Sequence, residues 1–401
     1  MEITADLHIH SRFARATSRY LDIPHIVHWS RLKGLQLTGT GDFTHPAWME
    51  ELKGLEERDG LLWYEGYPLM LSVEVNNMFE YEGHPVNIHN VILTDSLDSA
   101  QQINDFLSNY GDLGADGRPN LKLSMQEMLD ELKLLNPKTE VFPAHIWTPW
   151  FSILGARNKL SSIFDVVDDR ILAIETGLSS DPPMNWITEA RRFPIISNSD
   201  AHSPKNLARE ATVLDVKELS YDEVIKAIKE NKIIKTYEYY PQEGKYYWDG
   251  HRKCNVSFPP EESLKLNNRC PVCGKKLTIG VLHRVMELAD KPLGYKPPSA
   301  RPFKHIIPLH QSLSKILNKP ITSKKVEEMY HQLVNYFGSE LNVLEAPLER
   351  LRLAMDPLLA KKLYAINQGQ ISWKPGYDGV FGEFTLGEIE HKKQTSLGDF
   401  E

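Results

Sequence analysis

The chain has 401 residues, 41% hydrophobic and 25% charged, with a formal net charge of -8, the profile of an ordinary globular protein. No apolar run is long enough to cross a bilayer and Met1 leads straight into a strand pattern, so a cytoplasmic protein without membrane segment or signal peptide is expected. The three cysteines, Cys254, Cys270 and Cys273, crowd into one stretch, which argues against a disulfide framework and for a metal.

Just after Met1 and Glu2 comes ITADLHIHSR. Residues two apart in a strand share a face, so Asp6, His8 and His10 are expected to project together while Leu7 and Ile9 face the opposite layer. Ser11, Arg12 and Arg15 follow in the next loop, where they are expected to hold phosphate oxygens; the alternative is pairing with acids of the same domain. Six more strand-like runs come in order: LQLTGTG, LMLSVEV, HNVILT, EVFPAHI, ILAIETG and PIISNSD. Helical stretches lie between them, one opening at Ser124 with Glu127 in capping-box spacing. Strand and helix in alternation predict an α/β fold of parallel strands, and seven strands in about 240 residues favour closure into a barrel.

His8, His10, Asp42, Glu74, His145, Asp200 and His202 fall near the C-terminal ends of these runs, whereas His89 opens its run. In barrels of parallel strands, catalytic groups converge at that end whatever their separation in sequence. Imidazoles and carboxylates without thiolate suit Zn, Mn or Fe and reject Ca, with Mg kept among the divalent ions expected. So many donors exceed what one tetrahedral ion needs, so two or three divalent ions bridged by Glu74 and Asp200 are expected, the arrangement that hydrolyses phosphate esters. Trp147, Trp150 and Phe151, just after His145, are candidate stacking surfaces for a base, or else ordinary packing.

The next segment differs in charge. Residues 241–335 carry 16 Lys and Arg against 8 Asp and Glu, so a DNA contact is expected to be local to it. His251-x2-Cys254 and Cys270-x2-Cys273 have zinc-ribbon spacing with one His, and His283 is a competing fourth ligand. Lys253, Arg269, Lys275 and Lys276 surround these knuckles and suit phosphate contact, a solvated face being the alternative. A helical region then runs from Pro297 and Pro298 to about Asn367, followed by GQISWKPGYDGVFGEF, a hairpin with Tyr377-Asp378-Gly379 at its turn. In the tail KKQTSLGDFE, Gln394, Leu397 and Phe400 fit the pattern of peptides that bind the sliding clamp PCNA.

DLHIH, the acid of GTGDF, SVEV, PAHIW and SNSDAH resemble, in that order, the PHP domain. The resemblance implies a PHP-type distorted (β/α)7 barrel with a trinuclear centre, ligated here by His8, His10, Asp42, Glu74, His89, His145, Asp200 and His202. Two positions depart from the pattern. The usual Asp-His pair reads Asp42-Phe43, with His45 close by, and Arg15, Ala16 and Thr17 stand near the place of a further His. The barrel, the zinc ribbon and the PGYDGVFGEF module together resemble the endonuclease Q family over essentially the whole chain. That resemblance implies a PHP catalytic domain over 1–240, a ribbon over 241–290, a small, mostly helical DNA-binding module over 291–390 and a tail over 391–401. It also implies cleavage of DNA 5′ to deaminated bases (uracil, hypoxanthine, xanthine) and abasic sites, with Asp200, Glu74 and His202 at the catalytic core. A small-molecule phosphoesterase would not need the ribbon, and a non-catalytic DNA- or clamp-binding protein would not need so full a ligand set.

Overall fold

The computed structural model describes residues 1–386. Seven strands, β1 (Glu2–Asp6), β2 (Leu37–Gly39), β3 (Tyr67–Tyr81), β4 (His84–Thr94), β5 (Glu140–Pro143), β6 (Ile174–Glu175) and β7 (Ile195–Ile196), arise one from each of the seven runs. Parallel pairing joins β1 to β2, β2 to β3 and β6 to β7. Backbone bonds from Leu172 to Val141 (2.8 Å) and from Ile146 to Glu175 (3.1 Å) carry the ring from β5 to β6. Those from Asp200 to His8 (2.9 Å) and from His10 to Ala201 (3.2 Å) close it back onto β1.

The strands are not all parallel. β4 runs antiparallel to both β3 and β5, because the two-residue turn Glu82-Gly83 has φ of 48° and 76°, the geometry of a tight hairpin. Running backwards, β4 delivers His89, opposite Asn76 of β3, to the end of the barrel where its neighbours finish. This is why His89 opens its run in the sequence while the other donors close theirs.

Outside the ring, strand Ala211–Asp215 pairs antiparallel with β1, Ile233–Glu238 pairs with that strand, and Phe303–His305 adds a parallel edge. Helices Leu309–Leu317, Lys324–Phe337, Glu340–Glu345, Leu348–Ala354 and Pro357–Asn367 follow. They are tied to the barrel by the fully buried pair Lys33–Glu340 at 2.6 Å. Glu340 also accepts from Tyr330 Oη (2.8 Å) and the backbone of Leu309 (2.9 Å), so the buried charge is well solvated by the fold.

Between the barrel and these helices, Asp249–His251 and Val256–Phe258 form the antiparallel hairpin of the ribbon. The C-terminal hairpin, Ile371–Lys374 with Glu383–Leu386, has its tight turn at Asp378-Gly379 (φ 43° and 86°), flanked by Tyr377 and Val380, which exchange backbone bonds. That turn docks on the ribbon. Asp378 accepts from the backbone of Arg252 (2.6 Å) and from Thr278 Oγ1 (2.7 Å), and Tyr377 donates to Asn255 (2.9 Å). A Cβ at Gly250 would fall 2.4 Å from the Tyr377 ring, so glycine is required there. The clamp-peptide positions Gln394, Leu397 and Phe400 lie outside the described residues.

Candidate metal centre

The centre sits where the barrel strands end, and three of its residues leave their strands in the left-handed region: Asp42 (φ 51°), His145 (φ 32°) and Asp200 (φ 47°). Such conformations persist where surrounding structure holds them, and they cluster at functional sites. Gly177 follows the same logic, because a Cβ there would sit 2.4 Å from that of His145.

Glu74, fully buried on β3, is the hub. Its Oε1 lies 2.8 Å from His89 Nδ1, 3.0 Å from His145 Nε2 and 3.6 Å from His8 Nε2. Its Oε2 lies 3.2 Å from His10 Nε2. Asp200 Oδ1 stands 3.0 Å from His10 Nε2 and 3.7 Å from His8 Nε2. Two donor sets therefore share one carboxylate: His8, His10, Glu74 and Asp200, and Glu74, His89 and His145, each with ligand atoms within 4.8 Å of one another. The donor chemistry fits divalent ions, and His8 Nε2 is buried without a hydrogen-bond partner, aimed into the first set. Burial opposes charge throughout, yet the carboxylates Glu175 and Glu74 raise His8, and Asp42, with Asp200 and Glu74, raises His10, both well above the ordinary imidazole value. Glu74 is held well below the usual carboxylate range against its own burial, through His89 and His8.

The other expected ligands stand around these sets. Asp42 accepts from His10 Nδ1 (3.1 Å), Ser11 N (2.6 Å) and Ser11 Oγ (2.7 Å), which orients His10 from behind. His202 points Nδ1 at the carbonyl of Asp200 (2.9 Å) and packs its ring 4.6 Å from that of His10, leaving Nε2 at the rim. Asp6 turns away from the donors and caps the backbone N–H groups of Ser199 (2.9 Å) and Ala208 (3.0 Å), fastening the Asp200 loop.

The residues expected to meet DNA separate in the same way. Ser11 is fully buried and spent on Asp42. Arg12 pairs with Glu51 at 2.6 Å and Asp22 at 3.5 Å, while the Arg15 side chain is 84% exposed. Trp147 is a core residue, donating to Asn185 (2.8 Å). Trp150 is partly exposed against Tyr246, and Phe151, at φ 60°, is 45% exposed and stacked on His89 with ring centroids 4.8 Å apart. Sequence reasoning missed Glu175, which accepts from His8 Nδ1 (3.0 Å), from the backbone of His145 (2.8 Å) and from Asn198 (2.9 Å). Its signal was present, since ILAIETG carries an acid near its C-terminal end as LMLSVEV does. It also missed Arg118, whose Nη1 lies 3.1 Å from Glu74 Oε2 and whose loop carries no such signal.

In the ribbon, His251, Cys254, Cys270 and Cys273 form one group with ligand atoms within 4.8 Å of one another. His283 is engaged elsewhere, by Asp249 at 2.5 Å. Burial pushes the Cys270 thiol up, but the backbone N–H groups of Cys273 and Val272 bring it down to about 6, favouring the thiolate that zinc needs. Lys253, Arg269, Lys275 and Lys276 are all exposed around it.

A family model described as PHP-associated matches residues 187–233, and one described as the MJ0043 C-terminal domain matches 308–367. Uncharacterized protein YqxK of Bacillus subtilis is 31% identical over 409 residues, covering 95% of this chain and 99% of its own. Uncharacterized protein MJ0043 of Methanocaldococcus jannaschii is 34% identical over 249 residues, 60% of this chain but only 31% of that longer protein. Among solved structures, the lesion-specific endonuclease PfuEndoQ from Pyrococcus furiosus superposes with a TM-score of 0.87 at 31% identity, covering 97% of this chain and 96% of its own. Endonuclease Q in complex with a 27-mer duplex substrate, an abasic lesion at its active site, gives 0.85 at 31% identity and 97% coverage of both.

Proposed function

The chain belongs to the endonuclease Q family, and on that premise we propose that this DNA repair endonuclease hydrolyses the phosphodiester 5′ to deaminated bases (uracil, hypoxanthine, xanthine) and abasic sites. The observation that carries the reading is the shared carboxylate Glu74 between two donor sets at one end of the barrel. Bound there, divalent ions would supply Lewis acidity and an activated water. His8, His10, Glu74 and Asp200 would hold one ion, and Glu74, His89 and His145 another. Glu175 and Asp42 fix the ring orientations of His8 and His10. His202, its Nδ1 engaged by the Asp200 carbonyl, presents Nε2 at the rim, where it can complete a ligand set or handle a proton of the departing 3′ oxygen.

A base must leave the stack to be read, at a cost least for mispaired or missing bases. Phe151 stacks on His89 with its ring partly open to solvent, which suits a wedge that fills the vacated gap. Deamination turns an amino group into a carbonyl, so a pocket offering an N–H accepts the lesion and rejects the normal base by leaving two donors facing each other. Zinc held by His251, Cys254, Cys270 and Cys273 would stiffen the ribbon, and Lys253, Lys275 and Lys276 would meet phosphates of the same duplex. Placement in the cytoplasm and clamp binding through Gln394, Leu397 and Phe400 complete the proposal. Deleting residues 392–401 should abolish co-elution with PCNA and leave nicking of a short duplex intact.

The test is an end-labelled duplex with a single uracil, hypoxanthine or abasic site, incubated with protein and Mg or Mn. A nick immediately 5′ of the lesion, leaving 3′-hydroxyl and 5′-phosphate ends, is expected. Equal cutting of the undamaged duplex would overturn the lesion specificity.

A further inference from the structure

We propose that Arg118 is a substrate-contacting residue that holds a non-bridging oxygen of the scissile phosphate. The inference rests on the endonuclease reading above and assigns a residue to it.

The loop before Arg118 is built to place it. Asp116 accepts from the backbone of Arg15 (3.0 Å) and of Arg118 itself (3.1 Å). Gly117 donates to the carbonyl of Phe13 (3.0 Å), and a Cβ at that position would sit 2.4 Å from Asp42 Oδ2. On the other side, the carbonyl of Pro119 accepts from Asn76 (3.0 Å), and Asn120–Leu121 pairs with Asn76–Asn77 of β3. Arg118 is thus pinned from both directions, two residues from a strand contact with β3, and its guanidinium reaches Glu74 Oε2 at 3.1 Å.

The chemistry left over points to an anion. A guanidinium has five N–H donors and remains charged at any pH of interest. Among the described residues, the Arg118 side chain spends one of them, on Glu74, and it is 25% exposed, whereas Glu74 is fully buried. Of the other guanidinium groups nearby, Arg209 is spent on the carbonyls of Ser199 (2.8 Å) and Asp200 (3.1 Å), and Arg15 lies out beside Asp116 at 3.8 Å. At the positions that depart from the expected ligand pattern, Phe43 is fully buried in the core and His45 is stacked on Phe13 at 4.5 Å, while Asp42 is engaged by His10 and Ser11. Arg118 supplies a fixed positive charge at the open corner of the cluster, beside Glu74 Oε2, with its remaining donors available to a phosphate in the forked geometry that favours Arg over Lys.

A double-mutant cycle across the contact tests this. Affinity is measured for an abasic duplex whose scissile phosphate is either normal or a neutral methylphosphonate, with wild type, Arg118→Ala and Arg118→Lys, without added Mg or Mn. Losing the phosphate charge should weaken wild type about tenfold, and Arg118→Ala should weaken the normal duplex by a similar factor. The two changes together should cost no more than either alone, and Arg118→Lys should fall between. Barrel metal content, by elemental analysis, should equal wild type in Arg118→Ala. Independent losses in the cycle, or a changed metal content, would overturn the proposal while nicking by wild type leaves the endonuclease reading standing. A wild type that neither binds nor nicks lesion duplexes overturns both.

Discussion

The barrel centre and the ribbon are both ligand clusters, built on opposite plans. The donors of the centre are drawn from across the barrel, from His8 to Asp200, and most are buried. Those of the ribbon span 22 positions from His251 to Cys273 and sit near the surface. The ribbon's donors form a local motif whose order would depend on a bound metal, whereas strand pairing and a packed core bring the barrel's donors together. Damage to the barrel centre should therefore be felt as chemistry, and damage to the ribbon as loss of local structure and duplex affinity.

The largest effect is expected at the hub. Glu74→Gln removes the carboxylate shared by both donor sets and should lower single-turnover nicking by more than about 100-fold, since even the outer partners of metal ligands are worth 10–100-fold. Ribbon zinc should stay at one per chain. If zinc is lost from both places together, the two clusters are not independent. Next comes Glu175→Gln, which keeps the size but weakens the brace behind His8 and His145; barrel metal affinity should drop about 10- to 100-fold, read by chelator competition. An unchanged affinity would mean that the brace does not matter.

Cys270→Ser and Cys273→Ser sharpen the comparison from the other side. Each should lose about one Zn per chain and about tenfold in duplex affinity, with nicking at saturating DNA retained and barrel metals in place. A collapse of nicking at saturation would make the ribbon part of the chemistry. Smallest is Phe151→Ala, expected to slow cleavage at uracil about fivefold and at an abasic site less, because stacking matters most where a base must be displaced. Equal slowing at both lesions would remove Phe151 from base displacement.

What the sequence revealed follows the same division. The ribbon was legible from spacing alone, because four donors in two knuckles already define a tetrahedron. The barrel was legible as seven runs with polar ends, and the ends of those runs are where His8, His10, Glu74, His145 and Asp200 stand. His89 broke that rule because strand direction is set by a two-residue turn, Glu82-Gly83, which periodicity does not report. Asp6 obeyed the alternation but is consumed by backbone donors from the Asp200 loop, a partner no local pattern names. Arg118 and Trp147 show the same limit: a loop residue was drawn into the centre and an aromatic beside a ligand was drawn into the core, both by packing between distant segments.

The docking of Asp378 on the backbone of Arg252 joins positions 126 apart. During synthesis the ribbon therefore emerges long before the turn that braces it, while every donor of the barrel centre has already been made. A nascent chain halted after the helices would carry a complete catalytic end and a ribbon missing its outer support. Because segments fold as they leave the ribosome, the bracing of the ribbon is timed to the last described strands.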